Sequence, residues 1–119
     1  MDPAKDFWKR PRPYATNPDL KPCVHKPHGP SYPSGHSTFG TVTGIILANM
    51  LPEKAGAIYA RAGLYRFHRE LGGVHYPSDV EAGHIAGTAI AAFLLKDPIF
   101  LAEFAKAKAE LRHVLGLQP

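Results

Sequence analysis

Eleven residues, Arg69 to Asp79 (RELGGVHYPSD), hold a guanidinium, an imidazole and a carboxylate between two stretches of helical periodicity. Gly72-Gly73 and Tyr76-Pro77-Ser78 are turn sequences, so His75 is expected on a short loop between helices. Asp79, opening the next helix, is near enough in sequence to accept a hydrogen bond from one imidazole nitrogen. A carboxylate that fixes the tautomer leaves the other nitrogen free to attack an electrophile or take a proton. Arg69, just before the loop, offers an oxyanion a planar fork of donors. Taken alone, the stretch fits a helix corner with a capping Asp79 and a surface His75 equally well.

Tyr32-Pro33-Ser34-Gly35-His36 is a second chemical string. Proline and glycine shape a turn, and the following helix aims its unpaired N–H groups and positive dipole end back at it. That is an anion site, with Ser34 adding a hydroxyl and Gly35 allowing close backbone approach. His36 stands where it could protonate a leaving oxygen. A capped helix with a first-turn histidine is the simpler reading of this string by itself. The third group is Lys5 and Arg12-Pro13, an ammonium and a guanidinium on a proline-stiffened segment that could converge on one oxyanion. By itself this segment reads as solvated basic chain.

The coincidence of the three carries more than any one of them. From the composition, Lys-x6-Arg-Pro is expected about 0.04 times, Pro-Ser-Gly-His about 0.002 times and Arg-x5-His-x3-Asp about 0.015 times. All three occur, in order, against a joint expectation on the order of one in a million.

The elements that must position these groups read as helices. Residues 1–33 hold eight of the twelve prolines and are expected to be mostly irregular, with a helical turn around Lys5 to Lys9. Phe7, Trp8, Tyr14 and Tyr32 offer apolar area to pack that segment down. Residues 34–119 form the helical core of a single domain spanning 1–119. Ser34 is the expected N-cap of a helix in which Phe39, Val42, Ile46 and Met50 recur near helical spacing up to Pro52. A second helix is expected from Pro52 to about Leu71, with Tyr59, Tyr65 and Phe67 in the core or lining a pocket, and Gly72-Gly73 ending it in a left-handed cap. A third runs from Ser78 or Asp79 to Leu95, its Ala82, Gly83, Ala86 and Gly87 allowing close helix approach. A fourth runs from Pro98 to Leu115, with Leu101, Phe104, Lys108 and Leu111 on one face. No alternation of strand type appears, so the fold class is all-α.

Composition sets the remaining bounds. The chain has 119 residues and a net charge of +4, with six cations against three acids before residue 30. Such a segment suits an anionic partner. Nucleic acid fits less well, because no zinc-finger spacing or RNA-binding sheet motif accompanies the charge. The single Cys23 allows no intrachain disulfide and no cysteine metal cluster. MDPAKDFWKR lacks the apolar core of a secretory signal, and the apolar runs 41–51 and 85–95 fall short of the ~20 residues of a membrane span. No membrane span is therefore expected. His25, His28 and His84 lack diagnostic metal spacing and read as loop or surface residues, and His113 as a complement to a helix C-terminus.

The three strings, with the longer SYPSGHST and GVHYPSDVEAG, resemble the signature of the type-2 phosphatidic acid phosphatase superfamily. That group includes bacterial class A non-specific acid phosphatases, membrane lipid phosphatases and vanadium-dependent haloperoxidases, and the class A enzymes are the nearest in pattern. The resemblance spans Lys5 to Asp79 and implies a helical bundle with one phosphate or vanadate pocket. It implies that Lys5, Arg12 and Arg69 bind phosphoryl oxygens, with Ser34 and the Gly35 backbone completing the cradle. His36 would be the general acid and His75 a nucleophile forming a phosphohistidine, oriented by Asp79.

The expected reaction is metal-independent hydrolysis of a small-molecule phosphate monoester, with no cofactor and an acidic to neutral optimum. Vanadate would enter as a phosphate mimic or, in a haloperoxidase, as the cofactor. The other alternative is a phosphate-binding or interaction module without catalysis. The short apolar runs disfavour a lipid phosphatase. The family pattern has Ser before the motif arginine, where this chain has His68, so a hydroxyl donor is replaced by a third imidazole. Soluble members carry further helices upstream of the motif lysine, so a minimal or truncated version is expected. Apolar surface left by their absence would make a second copy of the chain a partner. The resemblance implies a periplasmic or secreted location.

Overall fold

Proline sets where most of the helices begin. The computed structural model describes residues 2–119, and within it Pro13, Pro52, Pro77 and Pro98 each occupy the first turn of a helix or 3-10 turn. There a missing N–H leaves no intrahelical bond unmade. The order is α1 (Asp2–Trp8), α2 (Pro13–Thr16), α3 (Gly35–Met50), a 3-10 turn (Pro52–Lys54), α4 (Ala55–Leu71), α5 (Pro77–Leu94) and α6 (Pro98–Val114). The described residues contain no strand, and the fold is all-α as expected.

Three boundaries differ from the sequence expectation, each for a local reason. The helix expected from Pro52 is split, because the 3-10 turn closes before Ala55 and α4 starts there. The helix expected from Ser78 or Asp79 begins at Pro77, with Tyr76 as its N-cap. The proline-rich segment is less irregular than expected, since both α1 and α2 form within it. At the end of α4 it is Gly73, at φ 73°, that takes the left-handed conformation.

The core is a three-helix arrangement in which α3 packs against both α4 and α5. The α3–α5 seam is built from glycines. A Cβ on Gly83 would overlap the Ser34 carbonyl oxygen and stand 2.7 Å from Ser37 Cβ. One on Gly87 would stand 2.7 Å from the Thr38 oxygen and 2.8 Å from Thr41 Cβ. This close approach lets Ser37 Oγ donate to the Val80 carbonyl at 2.5 Å and places Thr41 Oγ1 3.0 Å from His84 Nδ1. The small residues of α5 thus act as expected, and they bring the start of α5 against the start of α3.

The molecule is elongated. Its radius of gyration is 16.6 Å, against about 13.5 Å for a compact chain of this length. Helix α6 leaves α5 at 93° and is tied back by Arg112, which donates to Glu53 at 2.9 Å and to the Met50 carbonyl at 3.1 Å. Several apolar side chains expected to pack remain outside. Phe7 and Trp8 are largely exposed and make edge contacts with each other and, through Trp8, with Tyr32. Tyr59 and Phe67 lie on the outer face of α4, so the expectation that they line core or pocket is corrected. Among the described residues, no single helix is long and apolar enough to cross a membrane.

Replacing Gly83 by alanine forces the two helix starts apart. We expect Gly83→Ala to lose about 1–3 kcal/mol of stability in urea unfolding, whereas Gly56→Ala, whose Cβ meets no atom within 4 Å, should lose nothing.

Candidate active site

The site forms where the N-terminal ends of α3 and α5 meet the loop before α5 and the extended chain before α2. Asp79 is fully buried at this junction and collects four contacts. Its Oδ2 accepts from the Tyr76 backbone N–H at 2.8 Å and lies 3.3 Å from His75 Nδ1. Its Oδ1 accepts from Arg10 Nη1 at 3.0 Å, and its backbone carbonyl accepts from the Ser34 N–H at 3.0 Å. Asp79 is therefore not the N-cap of α5. It is the third residue of the helix, reaching back to the cap N–H, and the same carboxylate holds the imidazole.

His75 is buried at 4% exposure. With Nδ1–H donated to Asp79, its Nε2 is the acceptor, 3.2 Å from Arg12 Nη1. Burial pushes its pKa down, and the charges on Arg12 and Lys5 push the same way against the opposing pull of Asp79. The imidazole is thus held neutral with one lone pair directed at a cation. Asp79 shows the reverse balance. Burial alone would raise its pKa, but the hydrogen bonds from His75 and the Tyr76 backbone, with the Arg10 charge, hold it below the ordinary carboxylate value.

Arg12 is buried and also ties the loops together. Nε donates to the Gly29 carbonyl at 2.9 Å, Nη1 to Val74 at 2.9 Å and Nη2 to Pro30 at 3.2 Å. Desolvation lowers its pKa. Lys5 donates to the carbonyls of Pro30 at 2.8 Å and Pro33 at 2.9 Å, which brings α1 against the turn that opens α3. Arg69 lies on the last turn of α4, and its buried Nε has no hydrogen-bond partner among the described residues. A buried guanidinium donor without an acceptor is costly unless an anion approaches it.

Ser34 is fully buried and caps α3, its Oγ accepting from the Ser37 N–H at 3.2 Å. A Cβ on Gly35 would meet no protein atom within 4 Å, so packing alone does not demand glycine there. His36 stands on the first turn of α3, partly open to solvent, with its ring 6.0 Å from that of Tyr65. Its pKa is lowered first by burial and then by Arg69, His75, Arg12 and Lys5. Those four residues therefore lie within electrostatic reach of His36. Every site residue expected from the sequence falls in this one region.

The sequence reading missed Arg10. It donates to Asp79 at 3.0 Å and to Ser78 Oγ at 2.6 Å, and its guanidinium lies 4.1 Å from the Tyr76 ring centre. A signal was present, since Arg10 and Arg12 are two apart on extended chain and point to the same side. His68 is exposed on α4, and His25 and His28 face each other on the exposed loop with ring centres 6.5 Å apart.

An all-helical domain thus gathers four cations, a helix N-terminus and a carboxylate-bound imidazole around one point, an arrangement whose chemistry suits an anion. The PAP2 superfamily model matches residues 1–100, and the chain belongs to that superfamily. It is 35% identical over 113 residues to an acid phosphatase of Zymomonas mobilis subsp. mobilis, an alignment covering 91% of this chain and 42% of that protein. It is 32% identical over 114 residues to a non-specific acid phosphatase of Salmonella typhimurium, covering 91% and 45%. A non-specific acid phosphatase of Providencia stuartii is 35% identical over 80 residues, covering 67% and 32%. The chain spans less than half the length of these curated relatives.

The depressed pKa of His75 gives a stability test. Its neutral form contributes stability that is fully present above the unfolded value near 6.5 and is lost as pH falls through the lower folded value. Asp79 acts in the same direction at lower pH. We expect the urea midpoint to fall between about pH 7.5 and pH 5, and to fall less in His75→Gln.

Proposed function

We propose that this domain hydrolyses small phosphate monoesters through a phosphohistidine on His75, without a metal. The observation that carries this reading is the state of His75: buried, Nδ1 held by Asp79, Nε2 turned toward a guanidinium. An imidazole so held is neutral and nucleophilic, and a cation beside the attacking nitrogen can move onto a phosphoryl oxygen as the ester enters.

In the first step the Nε2 lone pair attacks phosphorus and the P–O bond to the alcohol breaks. The departing oxygen takes the bond pair and a proton from His36. Lys5, Arg12 and Arg69, with the Ser34 hydroxyl and the Gly35 backbone N–H, neutralise charge on the remaining phosphoryl oxygens. In the second step water attacks the phosphohistidine, gives a proton to His36 and releases phosphate with neutral His75. Three cations and a helix N-terminus supply the charge stabilisation that such a transfer requires. The assignment rests on these positions and on the names of the similar proteins, which are acid phosphatases.

The direct assay is hydrolysis of p-nitrophenyl phosphate with chelator present. Activity should persist in the wild type and fall by on the order of 10³-fold or more in His75→Ala. Unchanged activity in that variant removes His75 as nucleophile. Absence of turnover with tight vanadate binding points instead to a haloperoxidase or a binding module.

The pH profile tests His36. In the free site four neighbouring positive or titratable groups and burial depress its pKa. A bound phosphoryl dianion reverses the sign of the local charge and raises it. The alkaline limb of kcat should therefore lie at higher pH than that of kcat/KM, which reports the free enzyme. Coincident limbs would count against His36 as the acid.

A further inference from the structure

His36 and Arg69 also begin two helix faces that run away from the oxyanion site. Along α3, His36 is followed at helical spacing by Gly40, Thr43 and Leu47. Along α4, Arg69 is preceded at helical spacing by Tyr65, Ala62 and Ile58. Gly40 lies against Tyr65 and Gly44 against Ala62, so the helices are antiparallel and the two faces stay opposed. Between them lies a groove of about 490 Å³. A helix run from His36 to Leu47 spans roughly 16 Å, so the groove is long enough for an organic group of several rings or carbons.

The walls of this groove are apolar near the site and basic farther along. Phe39 is 64% exposed, and its ring centre is 6.4 Å from that of Tyr65, which in turn is 6.0 Å from His36. One aromatic ring thus stands beside the imidazole assigned to the leaving group, and a second lies against that ring. Glycine keeps the floor clear, because a Cβ on Gly40 would stand 2.7 Å from the Tyr65 ring and one on Gly44 3.0 Å from Ala62 Cβ. The charged residues lining the groove are Lys54 and Arg61, and no acid lines it.

In-line displacement puts the leaving oxygen on the side of phosphorus opposite His75, where His36 meets it. Whatever that oxygen carries must pass His36, and the groove begins at Tyr65, whose ring is 6.0 Å from that imidazole. We propose that the α3–α4 groove receives the alcohol portion of the phosphate ester, and that Phe39 and Tyr65 select a flat, apolar alcohol such as an aryl group. A cationic alcohol is disfavoured by Lys54 and Arg61. This inference rests on the phosphatase reading and adds to it the class of ester preferred.

The test is calorimetric titration with inorganic phosphate, methylphosphonate and 1-naphthylmethylphosphonate, which are not hydrolysed. The proteins are the wild type, Phe39→Ala, and Thr43→Trp, which fills the groove without touching the oxyanion site. The wild type should bind the naphthylmethyl compound at least about tenfold more tightly than the methyl compound, as burial of one ring system allows. Both variants should reduce that preference to within about threefold while binding inorganic phosphate as the wild type does, which also reports intact folding. Phosphate binding with no aryl preference in the wild type, or a preference intact in both variants, overturns the groove assignment alone. Failure of the wild type to bind phosphate overturns the phosphatase reading and the groove assignment with it.

Discussion

The buried carboxylate of Asp79 is the interaction on which the rest of the site depends. An ionised carboxylate with no exposure is tolerated only when its oxygens are satisfied by donors and its charge is compensated. Here three donors come from two parts of the chain: Arg10 from the segment after α1, and the adjacent His75 and Tyr76 from the loop and cap that open α5. The Asp79 carbonyl adds a fourth by accepting from Ser34 at the start of α3. One residue thereby draws the three chemical strings to a common point. The requirement that stabilises its charge is the same one that fixes the His75 tautomer.

That convergence needs two helix N-termini to lie almost in contact, and side-chain volume decides whether they can. The glycines at 83 and 87 let α5 lie on α3 at a distance that any Cβ would forbid. The partial positive ends of both helices then face one region, to which the arginines and Lys5 add full charges. Concentrated positive charge of this kind is unfavourable in the free protein. It is held in place by backbone carbonyls, with Arg12 and Lys5 donating to Gly29, Pro30, Pro33 and Val74. The proline-rich segment is the source of most of those carbonyls. A chain poor in donors and rich in exposed carbonyl oxygens is a suitable partner for cations that must stay at a site.

The two histidines show how one electrostatic environment can hold two imidazoles in different states, as the proposed acid and nucleophile roles require. Both are depressed in the free site, His75 mainly by burial and His36 by burial and then by the surrounding cations. Only His75 has a carboxylate on one nitrogen, and only His36 is open toward solvent, beside the Tyr65 ring. Burial is the first cause of both shifts, and Asp79 opposes it at His75, where it fixes the tautomer.

The residues that meet at this junction were legible in the sequence because they stand in three short strings of chemically distinctive types. Lys5, Arg12, Ser34, Gly35, His36, Arg69, His75 and Asp79 stand in local strings whose spacing shows them, and the helices between them follow from proline, glycine and apolar periodicity. Boundaries moved by only a residue or a turn, since capping chemistry is local. Arg10 was legible only as a near neighbour of Arg12; its pairing with Asp79 was not, because that partner is 69 residues away and ion pairing leaves no mark on either segment alone. The outward placement of Tyr59, Phe67, Phe7 and Trp8 was likewise hidden, as aromatic residues read alike whether a neighbour covers them or not. The sequence by itself determined which groups are present and which helix ends carry them, because those depend on contacts a few residues long. Only the tertiary structure decided that Asp79 binds three segments at once, that Arg69 Nε is buried without a partner among the described residues, and that Tyr65 beside His36 lines a groove between α3 and α4. Those facts depend on the distance between helices, which is set by the volume of side chains far apart in the chain.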